Sequence, residues 1–138
     1  MISFVIPGEP IAQPRQRIAV VGGHARSYLP SKHPVQAWKA AARIVAGNEH
    51  WEEPLSGPLL LTVHFIFHRP KNRIWKTKPM PREYHTKRPD VDNCLKSLMD
   101  ALSGVIWRDD TQVQIAGALK WVAAGDEQPR TEVIVDLP

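Results

Sequence analysis

The chain has 138 residues, of which 43% are hydrophobic and 23% charged, a composition typical of one folded domain spanning residues 1–138. A single cysteine, Cys94, excludes a disulfide scaffold and a cysteine-cluster zinc site. No apolar run approaches the roughly 18 residues of a membrane span, and the first residues lack the layout of a signal peptide. We therefore expect a cytoplasmic protein without a membrane partner.

The net charge of +4 is concentrated in one part of the chain. We call residues 69–88 the basic segment; its eight cations are Arg69, Lys71, Arg73, Lys76, Lys78, Arg82, Lys87 and Arg88. Glu83 is its single acid, so the segment carries +7, whereas the remaining residues hold ten cations against thirteen acids. Such an asymmetry indicates a polyanionic partner, with a solvated loop as the alternative.

The N-terminal region predicts a strand followed by a hairpin. Residues 2–6 are apolar and β-branched, and the turn signal Pro7-Gly8 follows them, which predicts a strand. Residues 18–21 precede Gly22-Gly23, a pair typical of a two-residue hairpin turn. We therefore expect a loop after the first strand and then a hairpin closed by the two glycines.

A helix is predicted next. Apolar side chains recur at helical spacing, at Val35, Trp38, Ala42 and Val45. Ser31 is the candidate N-cap and Pro34 falls in the first turn, where proline is tolerated. The pair Gly47-Asn48 is the expected end of the helix.

Residues 59–67 (LLLTVHFIF) predict a strand with both faces partly covered, because apolar residues occupy most positions of either set. His64 and His68 fall on one face of this strand. No further ligands lie close to them in sequence, so we interpret them as ordinary side chains of a sheet rather than as a zinc pair.

The basic segment, with its prolines, predicts a long loop, and loops of this length in compact domains are usually functional or disordered. Trp75 and Tyr84 are interleaved with its cations. Aromatic rings of this kind stack on unpaired bases while lysine and arginine contact phosphates. The alternative is that Trp75 anchors the loop to the core.

The C-terminal half predicts one helix and two strands. Residues 92–103 carry an apolar stripe at helical spacing, and Gly104 is the expected C-cap glycine. Residues 112–122 and 131–137 predict strands. Together these elements predict a single α+β domain with a mixed β-sheet and two main α-helices.

Four carboxylates, those of Asp90, Asp92, Asp109 and Asp110, flank this second helix directly after the basic segment. Surface carboxylates repel phosphate unless a cation bridges the two groups. Mg²⁺ is such a cation, since it takes oxygen ligands and is usually held by one or two carboxylates with waters and substrate phosphate. As a set, these acids point to a metal-dependent phosphodiesterase, whereas Asp90 or Asp92 taken alone is more readily explained as a helix cap.

Lys96 follows Asp92 by four residues, which places both side chains on one helix face. Its amine is a candidate for stabilising charge that develops on a phosphate in the transition state. The alternative is a surface ion pair with Asp92, worth about 0.3–0.5 kcal/mol.

Residues 89–113 (PDVDNCLKSLMDALSGVIWRDDTQV) resemble the central motif of the RusA family of Holliday junction resolvases, found in bacteria and their prophages. That motif reads D-x-D-N-x-x-K-x-x-x-D-A-L, a short link with an aromatic residue, and D-D-x-Q-V/I. The matching residues are Asp90, Asp92, Asn93, Lys96, Asp100, Ala101, Leu102, Trp107, Asp109, Asp110, Gln112 and Val113. The start of phage-type members is matched by Gly8, Pro10, Arg15 and Arg17, whereas Gln13 stands where the family often has lysine.

The resemblance implies a RusA-like fold and a Mg²⁺-dependent endodeoxyribonuclease, with Mn²⁺ able to substitute. It implies that Asp90, Asp92 and Asp110 are catalytic and bind the metal, and that Lys96 is the essential lysine. The roles of Asp100 and Asp109 stay open; Asp100 either holds Lys96 or packs structurally. A homodimer is also implied, because a four-way junction has two-fold symmetry and is resolved by two symmetric nicks.

We expect branched DNA to be held by cations of the N-terminal loop and of the basic segment. The candidate DNA-binding residues are Arg15, Arg17, Arg69, Lys71, Arg73, Lys76, Lys78, Lys87 and Arg88. The sequence leaves two alternative functions open. One is a Mg²⁺-dependent nuclease that acts on other branched DNA or on RNA, and the other is a DNA-binding module without catalysis.

Overall fold

A mixed five-stranded sheet forms the centre of the fold in the computed structural model, which describes residues 1–14, 17–28 and 33–138. In chain order the elements are β1 (Ile2–Pro7), β2 (Arg17–Val21), β3 (His24–Tyr28), α1 (Pro34–Glu49), β4 (Leu59–Phe67), β5 (Glu83–Tyr84), α2 (Val91–Leu102), β6 (Val113–Val122) and β7 (Arg130–Asp136). The order across the sheet is β1-β7-β4-β6-β5, with β4 and β6 parallel and the other neighbours antiparallel. The predicted α+β domain with a mixed sheet and two helices is confirmed.

The core lies between the sheet and the two helices. Alternate residues of β4 point towards the helices and are buried, among them Leu61, Val63 and Phe65. They belong to the same buried cluster as Trp38 of α1 and Leu98 of α2. The apolar stripes of both helices therefore cover one face of the sheet, as an amphipathic helix requires.

The opposite face of the sheet remains largely open to solvent. Val5, Ile115 and Leu119 are 47%, 65% and 41% exposed, respectively. On β4, Ile66 is fully buried, whereas Thr62 is exposed and His64 is half-buried. The expectation that both faces of β4 are partly covered is met, because the buried Ile66 and the half-buried His64 lie on the second face.

The predicted hairpin is present as a separate two-stranded sheet formed by β2 and β3. Gly22 and Gly23 form its turn with φ of +60° and +79°, the left-handed conformation that a type I′ turn requires at both central residues. Arg15 lies outside the described residues, and Arg17 is the first residue of β2.

The helix ends differ in part from the predicted ones. Ser31, the predicted N-cap of α1, lies outside the described residues; the cap is His33, whose Nδ1 accepts a hydrogen bond from the Val35 backbone N–H. The helix continues to Glu49, past the predicted end at Gly47-Asn48. Gly104 follows α2 with a φ of +84°, as expected of a C-cap glycine.

The basic segment contains a 3₁₀ turn at Lys71–Arg73 and the two-residue strand β5, and is otherwise irregular. This agrees with the predicted long loop, although β5 ties it to the end of β6. In the part of the chain that the structure describes, no helix has the length and hydrophobicity needed to cross a membrane.

Candidate nuclease site

The exposed face of α2 opens onto a pocket of about 470 Å³. Its lining residues are Gln13, Asp92, Leu95, Lys96, Met99, Asp100 and Asp110. Five of these come from α2 at the three- and four-residue spacings that align side chains on one helix face. The structure thus brings three of the predicted catalytic residues, Asp92, Lys96 and Asp110, to the same pocket.

Asp90 lies at the N-cap position of α2, but its side chain makes no capping hydrogen bond. Its carboxylate is exposed at the positive end of the helix dipole, which stabilises negative charge. The capping interpretation of Asp90 is therefore not supported. Asp90 does not line the pocket that Asp92 and Asp110 share.

Asp109 and Asp110 have different surroundings. Asp109 caps the 3₁₀ turn Asp110–Gln112: its Oδ1 accepts a hydrogen bond from the Thr111 N–H, which lowers the pKa of Asp109. Gln112 completes this capping box by accepting from the Asp109 N–H. Asp110 instead accepts a 2.8 Å hydrogen bond from the indole N–H of the fully buried Trp107. The core therefore holds the carboxylate of Asp110 in place at the pocket.

Lys96 is exposed at the pocket. Among the described residues, no ion pair joins it to Asp92 or to Asp100. Asp100 pairs instead with the nearly buried Lys39 of α1, at 2.6 Å from Nζ to Oδ2. Of the two roles open for Asp100, the structure thus gives it the structural one, linking the helices, and leaves Lys96 available to a ligand.

Gln13 also lines this pocket, although the sequence marks it only as a departure from the family pattern. Its backbone N–H donates to the Asn93 carbonyl oxygen at 3.0 Å, while Ser97 Oγ donates to the Ile11 carbonyl oxygen at 2.7 Å. These bonds fix the segment before β2 against α2. The side-chain Oε1 of Gln13 is buried and has no hydrogen-bond partner among the described residues.

This donor set fits Mg²⁺, which in proteins typically takes one or two carboxylates and completes its shell with water and substrate oxygens. Asp92 and Asp110 supply two carboxylates, and the unpartnered Oε1 of Gln13 adds a neutral oxygen. Within the described part of the chain, no three aspartate, glutamate, histidine or cysteine side chains gather closely enough to form a metal site by themselves. The pocket thus offers a partial oxygen shell rather than a closed protein cage.

The structure corrects one predicted DNA contact. Arg69 is only 8% exposed, and its guanidinium donates hydrogen bonds to the carbonyl oxygens of Arg73, Pro81 and Ala123. It also lies 3.5 Å from Glu83. Arg69 therefore organises the basic segment from inside and does not present its charge to a ligand. The exposed cations there are Lys71, Lys76, Lys78, Lys87 and Arg88.

Arg73 is half-buried and forms an ion pair with Glu83. With Arg69 and Lys78 it surrounds the ring of Trp75, their cationic groups lying 5.1–5.8 Å from the ring centroid. Trp75 is half-buried beneath these side chains. The ring therefore packs within the basic segment itself, and the core cluster of the described residues does not include it.

The histidines of the β4 region have partners within the protein. His64 Nδ1 accepts a 2.9 Å hydrogen bond from the Trp121 indole N–H. His68 bonds to Glu9 through both its backbone N–H and its ring Nδ1, each at 2.9 Å. This agrees with the interpretation of the pair as ordinary side chains. The contact of His64 with Trp121 had no signal in the sequence, since it joins residues of different strands.

Comparisons with known proteins place the chain in a family. Residues 7–136 match the family model described as "Endodeoxyribonuclease RusA". The chain is also 32% identical over 141 residues to "Uncharacterized protein YqaN" of Bacillus subtilis (strain 168), an alignment that covers 97% of this chain and 94% of that protein. The match spans the helix, the capped turn and the pocket described above, and the chain belongs to the RusA endodeoxyribonuclease family.

Proposed function

We propose that the protein resolves four-way (Holliday) DNA junctions by paired symmetric nicks in the presence of Mg²⁺. The observation that carries the proposal is the pocket shared by Asp92, Asp110 and Lys96, on and after the helix that directly follows the basic segment. Membership of an endodeoxyribonuclease family supports DNA as the substrate. An enzyme that resolves chromosomal or prophage DNA in this way works in the cytoplasm.

Different residues of the site have different proposed roles in hydrolysis. Asp92 and Asp110, with Gln13 Oε1 of the same pocket, are the proposed metal ligands. Asp90, exposed at the start of the helix outside this pocket, is proposed to join them when metal and DNA are bound. When bound, Mg²⁺ supplies positive charge against the phosphate and lowers the pKa of a nearby water. Lys96 donates hydrogen bonds to the oxygens on which charge grows, and Trp107 keeps Asp110 oriented.

The exposed cations Lys71, Lys76, Lys78, Lys87 and Arg88, together with Arg15, Arg17 and Arg73, are the proposed DNA contacts. Cations of this kind recognise backbone phosphates and shape rather than sequence. Binding should therefore weaken steeply with salt as counterions are released.

We further propose a homodimer joined along β6. This strand pairs with β4 on one side, whereas β5 covers the other side only at Trp121 and Val122 in the described chain. The open stretch is uncharged (VQIAGAL) and exposes Ile115 and Leu119. Edges of this kind are normally blunted by charge or proline, and a second copy of β6 paired antiparallel would complete a two-fold dimer.

The test is a cleavage assay with purified protein, Mg²⁺, a fixed four-way junction, and flap, duplex and RNA controls. Wild type should cut the junction in preference to the controls, whereas Asp92→Asn and Asp110→Asn should bind the junction and fail to cut it. Asp126→Asn, a change of an exposed acid outside the pocket, is the matched control. Cutting of flaps or RNA alone would replace the resolvase proposal with the other nuclease, and no difference between wild type and Asp92→Asn would favour a binding module.

A further inference from the structure

Tyr84 presents one face of its ring to solvent from a fixed position. It lies opposite Trp121 in the β5–β6 ladder, and the two rings stack with centroids 4.9 Å apart and planes at 19°. Nevertheless, Tyr84 is 72% exposed. One face of the ring therefore rests on the indole, while the other is open to a ligand.

The indole beneath Tyr84 is itself held from several sides. The Trp121 N–H donates to His64 Nδ1 at 2.9 Å, and the Arg82 guanidinium carbon lies 5.4 Å from its ring centroid. Arg82 is in turn bound by both carboxylate oxygens of Glu127. A ring supported in this way loses little conformational freedom when a ligand stacks on it, which favours binding.

Tyr84 borders a recessed cavity that also exposes a cation. The cavity has a volume of about 340 Å³, and its lining includes Lys87 as well as Arg73 with its ion-pair partner Glu83. Lys87, three residues after Tyr84 in the chain, is exposed and has no acidic ion-pair partner among the described residues. A flat aromatic face beside exposed positive charge matches the two chemical parts of a nucleotide, the π-face of the base and the phosphate.

The chain segment between Tyr84 and the nuclease site is fixed by hydrogen bonds to Lys120. Lys120 donates hydrogen bonds of 2.6 Å to the carbonyl oxygens of Lys87 and Pro89, and its own carbonyl accepts from the His85 N–H. Tyr84 precedes Asp90 by six positions, so the two lie within about 20 Å of each other, the full reach of such a segment. This upper limit corresponds to about six nucleotide steps of 3.4 Å along a strand.

We propose that Tyr84 is a stacking platform for an unpaired nucleobase, with Lys87 holding the adjoining phosphate. The inference rests on the proposed function and adds to it a residue that determines specificity. Bases inside a duplex are stacked on both sides and cannot use the platform, whereas a base at an opened branch point can. Tyr84 therefore favours branched and single-stranded DNA over duplex.

The test uses a four-way junction with 2-aminopurine at the branch point, because stacking on an aromatic ring quenches this fluorescent base. Wild type and Tyr84→Phe should quench it on binding. Tyr84→Ala and Tyr84→Leu should not, and should bind the junction about 5- to 150-fold more weakly, the range expected when one base–aromatic stack is lost. Affinity for duplex should be unchanged in all four proteins.

Trp51→Ala is the matched control, since Trp51 is 82% exposed beside the acidic pair Glu52 and Glu53 rather than beside cations. It should behave as wild type. Tyr84→Leu retains apolar cover over Trp121, so a loss shared by both Tyr84 variants cannot be ascribed to an uncovered indole. Wild-type quenching and affinity in Tyr84→Leu would overturn the platform while leaving junction cleavage by wild type, and thus the proposed function, intact. Absence of junction binding by wild type would overturn both.

Discussion

At the scale of single residues, Asp109 and Asp110 show how neighbours in sequence acquire different roles. Asp109 points back to cap its own turn, whereas Asp110 is held by the buried Trp107 and faces the pocket. In the DDxQ pattern, the first acid and the glutamine thus stabilise the turn, whereas the second acid faces the pocket, where a ligand can reach it. Lys96 and Asp100 also have different roles although they share a helix face, because Asp100 pairs with Lys39.

Exchange of these two acids for their amides should separate the roles. We expect Asp110→Asn to reduce single-turnover junction cleavage at least about 100-fold, since each 1.4 kcal/mol of lost transition-state stabilisation is a factor of ten. Asp109→Asn should retain cleavage and lower stability by at most about 1 kcal/mol, because asparagine also caps. Quenched-flow cleavage and thermal melts measure both. The reverse order of effects would show that the roles are assigned to the wrong acids.

Arg69 and Lys87 should separate structural from DNA-binding cations. Arg69→Ala leaves carbonyl oxygens of the basic segment without their donor and should lower the free energy of unfolding by about 2–4 kcal/mol. Lys87→Ala removes an exposed charge, so stability should not change. Its junction affinity should fall, and the slope of log K against log[salt] should decrease by about 0.9 for one lost phosphate contact. An unchanged slope in Lys87→Ala would exclude it as a phosphate contact.

At the scale of elements, the basic segment is held to the β6–β7 connection by Glu127. Hydrogen bonds from Arg82, from the Ala124 backbone N–H and from Arg130 lower the pKa of Glu127 from 4.5 to about 2. A carboxyl whose pKa falls on folding stabilises the protein above its unfolded pKa, and this contribution disappears as the pH falls through the folded value. The connection should therefore loosen in acid.

Replacement of Glu127 should reproduce this pH dependence. At pH 7, Glu127→Gln should cost roughly 1–3 kcal/mol of stability, as expected for charge-assisted hydrogen bonds. The difference from wild type should shrink as the pH is lowered from 4.5 to about 2, where the wild-type carboxyl itself becomes protonated. Denaturant titrations at each pH measure this difference in the free energy of unfolding, and Glu52→Gln, a change of an exposed acid, is the control. A difference that is independent of pH would contradict the assigned pKa.

The edge of β6 predicts how the chain associates. A lysine at Ile115, which is 65% exposed, would place a charge in the uncharged stretch of β6 along which the two copies are proposed to pair. In analytical ultracentrifugation, we therefore expect wild type to be a dimer and Ile115→Lys to be a monomer. The substitution should not destabilise the fold of the single chain. Ile44→Lys, on the exposed side of α1 at 66% exposure, is the control and should remain dimeric. A monomeric wild type would contradict the proposed dimer.

At the scale of the whole molecule, local patterns predicted the elements better than the contacts between them. The stripe of α2, the glycine turn of the hairpin and the alternation of β4 are visible within ten or so residues, and all three are confirmed. The burial of Arg69 depends on the carbonyl of Ala123, 54 residues away, and the pairing of Lys39 with Asp100 spans 61 residues. No local pattern contains such information.

The candidate site was predictable to a similar degree. Asp92 and Lys96 share a helix face by spacing alone, whereas the position of Asp110 depends on the buried Trp107. Gln13 reaches the pocket through backbone contact with α2, and Tyr84 acquires its support only when β5 pairs with β6. These placements follow from tertiary packing, which composition and spacing do not encode.

Paired, symmetric cutting of four-way junctions is the activity that we propose for this chain. Mapping the cuts on a fixed junction, with each of the four strands labelled in turn in the presence of Mg²⁺, tests it most directly. We predict cuts at matching positions on two opposite strands with wild type and none with Asp92→Asn. Cuts on a single strand, equal cutting of duplex controls, or the same pattern from Asp92→Asn would contradict the claim.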